Sequence, residues 1–152
     1  MLAKLQQVLD AHHVPYTPLV HRSAYTAQEL AAAEHVPGRE HAKVAIVKAG
    51  KRFVMVVLPA PRKIDFRELA AILPEKEARL ASEDEFAGLF PGCEPGAMPP
   101  FGDLFAMEVI ADRSLEQDED IVFQAGSHNE SIRMKYTDFK RLVRPRVVDL
   151  AS

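Results

Sequence analysis

Residues 92–102 of this chain, GCEPGAMPPFG, interleave the two residue types that control backbone geometry most strongly. Proline fixes φ and removes an N–H group, whereas glycine permits positive φ and close approach to its backbone. Their combination predicts a stiff loop with a few well-aimed amides, which can hold a carbonyl oxygen, an oxyanion or a water. A rigid connector has the same composition, and composition alone slightly favours the connector.

Two other segments place polar side chains next to apolar runs. Lys43 precedes the run VAIV, where its ammonium either reaches the rim of a strand or faces a cleft that holds an anion. Ser127, His128 and Asn129 belong to the segment AGSHNES, a polar turn between two strands. An exposed strand-end lysine and an ordinary hairpin turn are the alternatives that these residue types leave open.

Established catalytic motifs are absent from the sequence. It holds no phosphate-binding glycine motif of the Walker or dinucleotide type, no HExxH pair and no GxSxG elbow. The single cysteine, Cys93, excludes an internal disulfide, disfavours a structural zinc site and fits a reducing, cytoplasmic location. An enzyme built from these residues must therefore use backbone groups, a lysine and the substrate's own groups.

The charges are unevenly distributed along a chain whose net charge is -3. Residues 112–120 are mostly acidic, and the segment after residue 132 is basic. A local basic surface can bind phosphate even on an acidic protein. The same charges are also typical of a helix surface that faces solvent. The basic residues of this segment are Arg133, Lys135, Lys140, Arg141, Arg144 and Arg146, which face only Asp138.

Hydrophobic periodicity predicts the helices and strands that must position these groups. Strands are expected at 42–59 as a hairpin, and at 78–82, 104–111, 120–126 and 130–136. Helices are expected at 2–12, after Thr26, at 64–73 with Asp65 as N-cap, after Ser82 in a capping box with Glu85, and at 137–143 capped by Thr137 or Asp138. This order lacks regular strand–helix alternation, so it predicts one α+β domain over residues 1–152. Its sheet is expected to be mixed and largely antiparallel, with flanking helices.

Four segments in order resemble the YbaK/prolyl-tRNA-synthetase-associated domain family. They are VHRSAYTAQELA, HAKVAIV, GAMPPFG and VFQAGSHNESIRM with DFKRLVRPRVVDLA, and they extend from about His21 to the C-terminus. The resemblance implies a mixed sheet with flanking helices and an aminoacyl-tRNA deacylase that acts in trans-editing. In this family a hydroxyl of the terminal ribose is thought to assist the attack, so the protein mainly supplies position and oriented dipoles.

The resemblance also implies roles for particular residues. Lys43 would engage the 3′-terminal adenosine of tRNA or its phosphate, and the loop backbone would position the ester carbonyl and the attacking water. His128 occupies a position that is His or Asn in editing relatives. The implied catalytic residues are Lys43, Gly96, Gly102 and His128, and the implied substrate-binding residues are His21, Tyr25, Thr26, Pro100 and Ser127.

The expected partner is the aminoacylated 3′ end of tRNA, with an aminoacyl-tRNA synthetase as a further partner. No metal, other cofactor or membrane association is expected, and a monomer and a homodimer fit the sequence equally. Two alternatives stay open at this point. One is a binding module on the same fold without catalysis, since fold does not fix function. The other is an ester or thioester hydrolase that uses Cys93, although no obvious base adjoins this thiol in the sequence.

Overall fold

The computed structural model describes residues 1–20 and 40–152. His21, Tyr25, Thr26 and the helix expected after Thr26 lie outside these residues. The described helices are α1 (Ala3–Ala11), α2 (Phe66–Ile72), α3 (Glu83–Phe86) and α4 (Tyr136–Val143), and short 3-10 helices cover Gly102–Phe105 and Arg113–Gln117. The described strands are β1 (Tyr16–Val20), β2 (Ala42–Ala49), β3 (Arg52–Pro59), β4 (Arg79–Leu80), β5 (Glu108–Asp112), β6 (Asp120–Gln124), β7 (Glu130–Lys135) and β8 (Arg146–Val148).

These strands form two sheets. In the three-stranded sheet, β7 pairs antiparallel with both β1 and β6. The five-stranded sheet has the order β4-β2-β3-β5-β8, in which β2 is antiparallel to its neighbours and β5 is parallel to β3 and β8. An isolated β-bridge between His41, the residue before β2, and Val122 of β6 connects the two sheets. The α+β class and the mixed, largely antiparallel pairing are confirmed, but the strands divide into two sheets where one was expected.

The larger hydrophobic core joins the two sheets. Ile46 and Met55, paired across β2 and β3, pack in one cluster with Phe123 of β6 and Ile132 of β7. Helices α1 and α4 contribute further buried side chains to this cluster: Leu5, Leu9, Tyr136 and Phe139. Because side chains alternate along a strand, the other residues of β2 and β3 face a second core. That core lies beneath α2 and includes Val47, Val54, Leu58, Leu69 and Leu73.

Local sequence signals predicted several element boundaries correctly. The Asp65 carboxylate accepts hydrogen bonds from the N–H groups of Arg67 and Glu68, which caps α2 as expected. Ser82 and Glu85 form the predicted capping box at the start of α3. The expected hairpin is formed by β2 and β3, whose register pairs Ala42 with Pro59. Such signals work because each involves groups only a few residues apart.

Two predicted boundaries were wrong, and one strand was missed. The strand expected at 104–111 begins only at Glu108, because a 3-10 helix and the left-handed Ala106 precede it. Helix α4 begins at Tyr136 after Lys135, without the expected side-chain cap from Thr137 or Asp138. The missed strand, β8, is three residues long and pairs parallel with β5. Its short sequence carries no periodic signal, so only the partner strand defines it.

A buried carboxylate fixes the end of the chain. The side chain of Asp112 accepts hydrogen bonds from the N–H groups of Leu150 and Ala151 and from Ser114. These contacts hold the C-terminal segment beside Ile64, which forms a β-bridge with Ala151.

Across residues 1–20 and 40–152, no helix combines the length and apolar character needed to cross a membrane.

Candidate active site

The 92–102 loop is hydrogen-bonded to the polar turn that joins β6 and β7. The N–H of Glu94 donates to the carbonyl of Gly126 at 2.8 Å, and the N–H of Gly126 donates to the carbonyl of Ala97 at 2.9 Å. The N–H of His128 donates to the Glu94 carboxylate at 3.3 Å. Two segments that are some 30 residues apart in sequence, both expected in the site, are therefore joined by backbone groups.

The His128 ring adds a side-chain contact to this junction. Its Nε2 lies 2.8 Å from the carbonyl oxygen of Pro95, and its Nδ1 lies 3.4 Å from Nε2 of Gln124. A carbonyl oxygen only accepts, so the contact with Pro95 requires a proton on Nε2, and with that proton in place Nδ1 can accept from the Gln124 amide. Both ring nitrogens are thus engaged within the protein. The geometry fits a residue that fixes the loop better than one that takes a proton from a substrate.

Gly96 lies directly beneath this ring. Its φ is +83°, a conformation that glycine adopts readily, and a Cβ placed on it would lie 3.5 Å from Cε1 of His128. Within the described residues, the N–H groups of Gly96 and Met98 donate no hydrogen bond, whereas that of Ala97 donates to the carbonyl of Glu94. Neighbouring backbone N–H groups without partners can bind an anionic or carbonyl oxygen.

A groove of about 310 Å³ runs between this loop and β2. The loop side is formed by the Pro95–Gly96 turn and the buried Met98, and the strand side by residues 44–46 of β2. The end of β4 and helix α3 complete the lining. The full set of lining residues is Val44, Ala45, Ile46, Leu80, Ala81, Glu83, Phe86, Pro95, Gly96 and Met98. Sequence reasoning predicted Pro95, Gly96 and Met98 as part of the 92–102 loop and missed the other lining residues, although the apolar run directly after Lys43 was a usable signal.

Lys43 lies at the start of β2 and is partly buried. The register pairs it with Leu58, which belongs to the core beneath α2, whereas Val44 and Ile46 belong to the opposite core. The pKa of the Lys43 ammonium is lowered, first by burial and then by the charge of Lys63. The structure therefore places Lys43 beside the groove at the strand end, and not among the residues that line it.

Pro100 and Gly102 are buried at the far end of the loop. A Cβ on Gly102 would overlap the carbonyl oxygen of Met107 and lie 2.5 Å from Cγ2 of Val109. The N–H of Met107 in turn donates to the carbonyl of Gly102 at 3.0 Å. Gly102 is thus required by packing where the loop enters its 3-10 helix, and this requirement exists whether or not Gly102 contacts a substrate.

Ser127 and Cys93 occupy supporting positions near the groove. Ser127 Oγ accepts a hydrogen bond from the N–H of Asn129 at 3.4 Å, so the hydroxyl stabilises the turn. Cys93 is half-buried beside a cavity of about 20 Å³, and burial raises the pKa of its thiol. A raised pKa opposes formation of the thiolate that a nucleophile needs.

Among the described residues, no group of three His, Cys, Asp or Glu side chains is arranged to hold a metal ion.

The basic C-terminal residues differ in how far acidic groups neutralise them. Arg133 pairs with Glu40 and Asp120, and Lys140 and Arg141 pair with Glu116 and Asp138, respectively. Arg144 makes no ion pair within the described residues. It borders a second cavity of about 450 Å³, between the end of the 92–102 loop, α1 and the C-terminus of α4. The lining residues include His12, Phe101, Gly102, Asp103, Arg141 and Arg144.

Comparison with known proteins establishes the class to which this fold and loop belong. The aminoacyl-tRNA editing domain family matches residues 21–142, and the chain is a member of that family. The multifunctional Ser/Thr-tRNA deacylase ProXp-y of Escherichia coli (strain K12) is 34% identical over 97 residues. This match covers 63% of the present chain and 58% of the relative, so the chain spans less than two thirds of that protein's length.

Solved structures reproduce the same fold. A protein described only as hypothetical has a TM-score of 0.85 and 23% identity, with 98% of this chain and 99% of that chain covered. A candidate trans-editing enzyme for prolyl tRNA synthetase has a TM-score of 0.79 and 19% identity, with 98% and 95% covered. These similarities confirm the YbaK-like editing-domain fold that the ordered sequence motifs indicated.

Proposed function

We propose that this protein hydrolyses the ester bond of aminoacyl-tRNA, with the amino-acid end bound in the groove beside Gly96. One observation carries the proposal. The Gly96 and Met98 N–H groups lack partners within the described residues, and these residues line the groove. Membership of the editing family supplies the substrate class, and the E. coli relative supplies Ser-tRNA and Thr-tRNA as the first substrates to test.

In the proposed ester hydrolysis, backbone N–H groups of the loop contact the reacting atoms, and side chains take little direct part. The ester carbonyl oxygen accepts hydrogen bonds from the loop amides, and water adds to the carbonyl carbon to give a tetrahedral oxyanion. Collapse of this intermediate breaks the bond to the ribose oxygen, which leaves as the tRNA hydroxyl after taking up the proton released by the water. Donors fixed in advance stabilise the oxyanion, and one such donor is typically worth ~10²–10³ in rate. A neighbouring ribose hydroxyl would orient the water, as the family resemblance implies.

The side chains then have positioning roles. His128 holds the Pro95–Gly96 turn through its bond to the Pro95 carbonyl, and Ser127 stabilises the turn that carries His128. Lys43, at the strand end beside the groove, would bind the terminal adenosine or its phosphate. A partly desolvated ammonium interacts with phosphate more strongly than a fully hydrated one. His21, Tyr25 and Thr26 stay predictions for the amino-acid pocket.

The tRNA would approach along the end of the 92–102 loop. Of the two arginines that border the cavity next to Gly102, Arg144 is the one without an ion pair in the described part of the chain. We therefore expect it to contact a backbone phosphate, whereas Lys140 and Arg141 are already paired. A synthetase partner, the oligomeric state, the cytoplasmic location and the single domain over residues 1–152 stay predictions.

A panel of mischarged tRNAs tests the proposal. Wild-type protein and Lys43→Ala would be incubated with Ser-, Thr-, Ala- and Cys-tRNA, and loss of the aminoacyl ester would be followed over time. We expect hydrolysis of at least one small aminoacyl ester by the wild type, with a loss of tenfold or more in Lys43→Ala. Binding of tRNA without hydrolysis of any ester would reject catalysis and favour the binding module.

A further inference from the structure

The groove has one ionisable side chain among its described lining residues, and that side chain is a carboxylate. Glu83, the first residue of α3, lines the groove together with Gly96 and Met98. It also borders the small cavity beside Cys93. The other described lining side chains are apolar. Glu83 is therefore the described lining residue that can make an ionic contact with a molecule in the groove.

Glu83 differs from the two acidic residues that follow it. Glu85 accepts a hydrogen bond from the N–H of Ser82 and forms ion pairs with Arg79 at 2.7 Å and Lys48 at 3.6 Å. Asp84 is exposed, as Glu83 is, but it lines neither the groove nor the small cavity. Within the described residues, Glu83 makes no side-chain hydrogen bond or ion pair, so its charge is available to a ligand.

An aminoacyl ester presents a complementary cation at a fixed place. Its α-ammonium is attached to the carbon next to the ester carbonyl. If the carbonyl oxygen is bound by the Gly96 loop, the ammonium lies in the same groove, within the region that Glu83 borders. The carboxylate would also repel tRNA phosphates from this end, in keeping with an approach from the Arg144 side.

We propose that Glu83 binds the α-ammonium of the aminoacyl ester and that the protein selects substrates with a free α-amino group. This inference rests on the proposed deacylase function and adds a subsite to it. Charge-assisted hydrogen bonds are stronger than neutral ones. Because Glu83 is on the rim, the contact should be worth less than a fully buried pair.

The test compares two esters of the same tRNA that differ only at the α position. One carries the amino acid that the protein hydrolyses best, and the other carries the corresponding α-hydroxy acid, which has the same side chain and no charge. We expect the wild-type kcat/KM to be about 5- to 30-fold higher for the aminoacyl ester. Glu83→Gln should lower kcat/KM for the aminoacyl ester by a similar factor and leave the α-hydroxy ester nearly unchanged.

Asp84→Asn is the matched control, because it removes the adjacent charge without altering the groove. Thermal melting of both variants would show that α3 and its capping box are intact. Equal wild-type rates on the two esters, or Glu83→Gln behaving like Asp84→Asn, would overturn the inference while leaving deacylation in place. Absence of hydrolysis of every ester by the wild type would instead reject the proposed function, and the inference with it.

Discussion

The imidazole of His128 packs over Gly96, with Cε1 3.5 Å from the place where a Cβ of residue 96 would lie. The same ring donates from Nε2 to the carbonyl of Pro95, the residue before Gly96. One side chain thereby determines where the peptide entering Gly96 lies and limits the space above it. This contact connects the two segments from which the candidate site is built.

Replacing His128 should therefore affect the loop more than the chemistry. We expect His128→Ala to lower kcat/KM for deacylation by about 10- to 100-fold, because small displacements of positioned groups are costly in rate. His128→Gln should recover much of the loss, since its amide can also donate to the Pro95 carbonyl. Faster amide hydrogen exchange at Glu94 and Gly126 in His128→Ala would accompany the effect. A glutamine variant as inactive as alanine, with unchanged exchange, would favour an acid–base role for the ring.

The left-handed conformation at Gly96 gives a second prediction with an internal control. Gly92, in the same loop, has φ +84° and does not line the groove, whereas Gly96 has φ +83° and does. Alanine at either position should cost about 1 kcal/mol of stability, because the conformation is unfavourable for residues with a Cβ. At residue 92 the end of the Leu2 side chain, 3.0 Å from the added Cβ, must also shift. Only Gly96→Ala should also lower the deacylation rate well beyond its effect on folding. Equal rates for the two variants would remove the Gly96 backbone from the site.

Gly102 should be sensitive for a different reason. Gly102→Ala forces a methyl group against the Met107 carbonyl and the Val109 side chain, so we expect a loss of about 1–3 kcal/mol or more in the free energy of unfolding. Gly88→Ala is the control, because nothing lies within 4 Å of a Cβ at that position. Met98→Leu, which conserves volume, should cost less than about 1.5 kcal/mol. Denaturant unfolding of the three variants checks this order, and a Gly102→Ala protein as stable as Gly88→Ala would contradict it.

Replacing Lys43 should change both the deacylation rate and the dependence of stability on alkaline pH. Burial lowers the pKa of its ammonium, so between that pKa and the ordinary value the unfolded chain binds more protons than the folded one. Wild-type stability should therefore rise with pH across this interval relative to Lys43→Met, which has no ammonium to desolvate. At neutral pH, Lys43→Met should unfold at the same temperature as the wild type or higher, while deacylation falls. Melting curves at neutral and alkaline pH test this, and a pH-independent difference between the two proteins would be inconsistent with the lowered pKa.

Sequence patterns were most informative where the relevant contacts are local. The Asp65 cap, the Ser82–Glu85 capping box and the β2–β3 hairpin each depend on neighbouring residues, and each was predicted. The parallel strand β8 was missed because it depends on β5, some 35 residues earlier in the chain. The start of α4 was misplaced because Lys135 precedes the helix without a side-chain cap that sequence could signal.

For the site, the sequence alone determined the unusual loop chemistry of residues 92–102 and the ordered segments that indicated the editing family. Only the tertiary structure decided which groups meet: His128 over Gly96, Glu83 and Met98 around one groove, and Lys43 at the start of β2, directly before the strand residues that line this groove. The physical reason is that strand alternation and sheet register assign each side chain to a face, and a shift of one residue would exchange the faces. Residue types show which chemistry is available, and the packing of distant segments selects the groups that can act together.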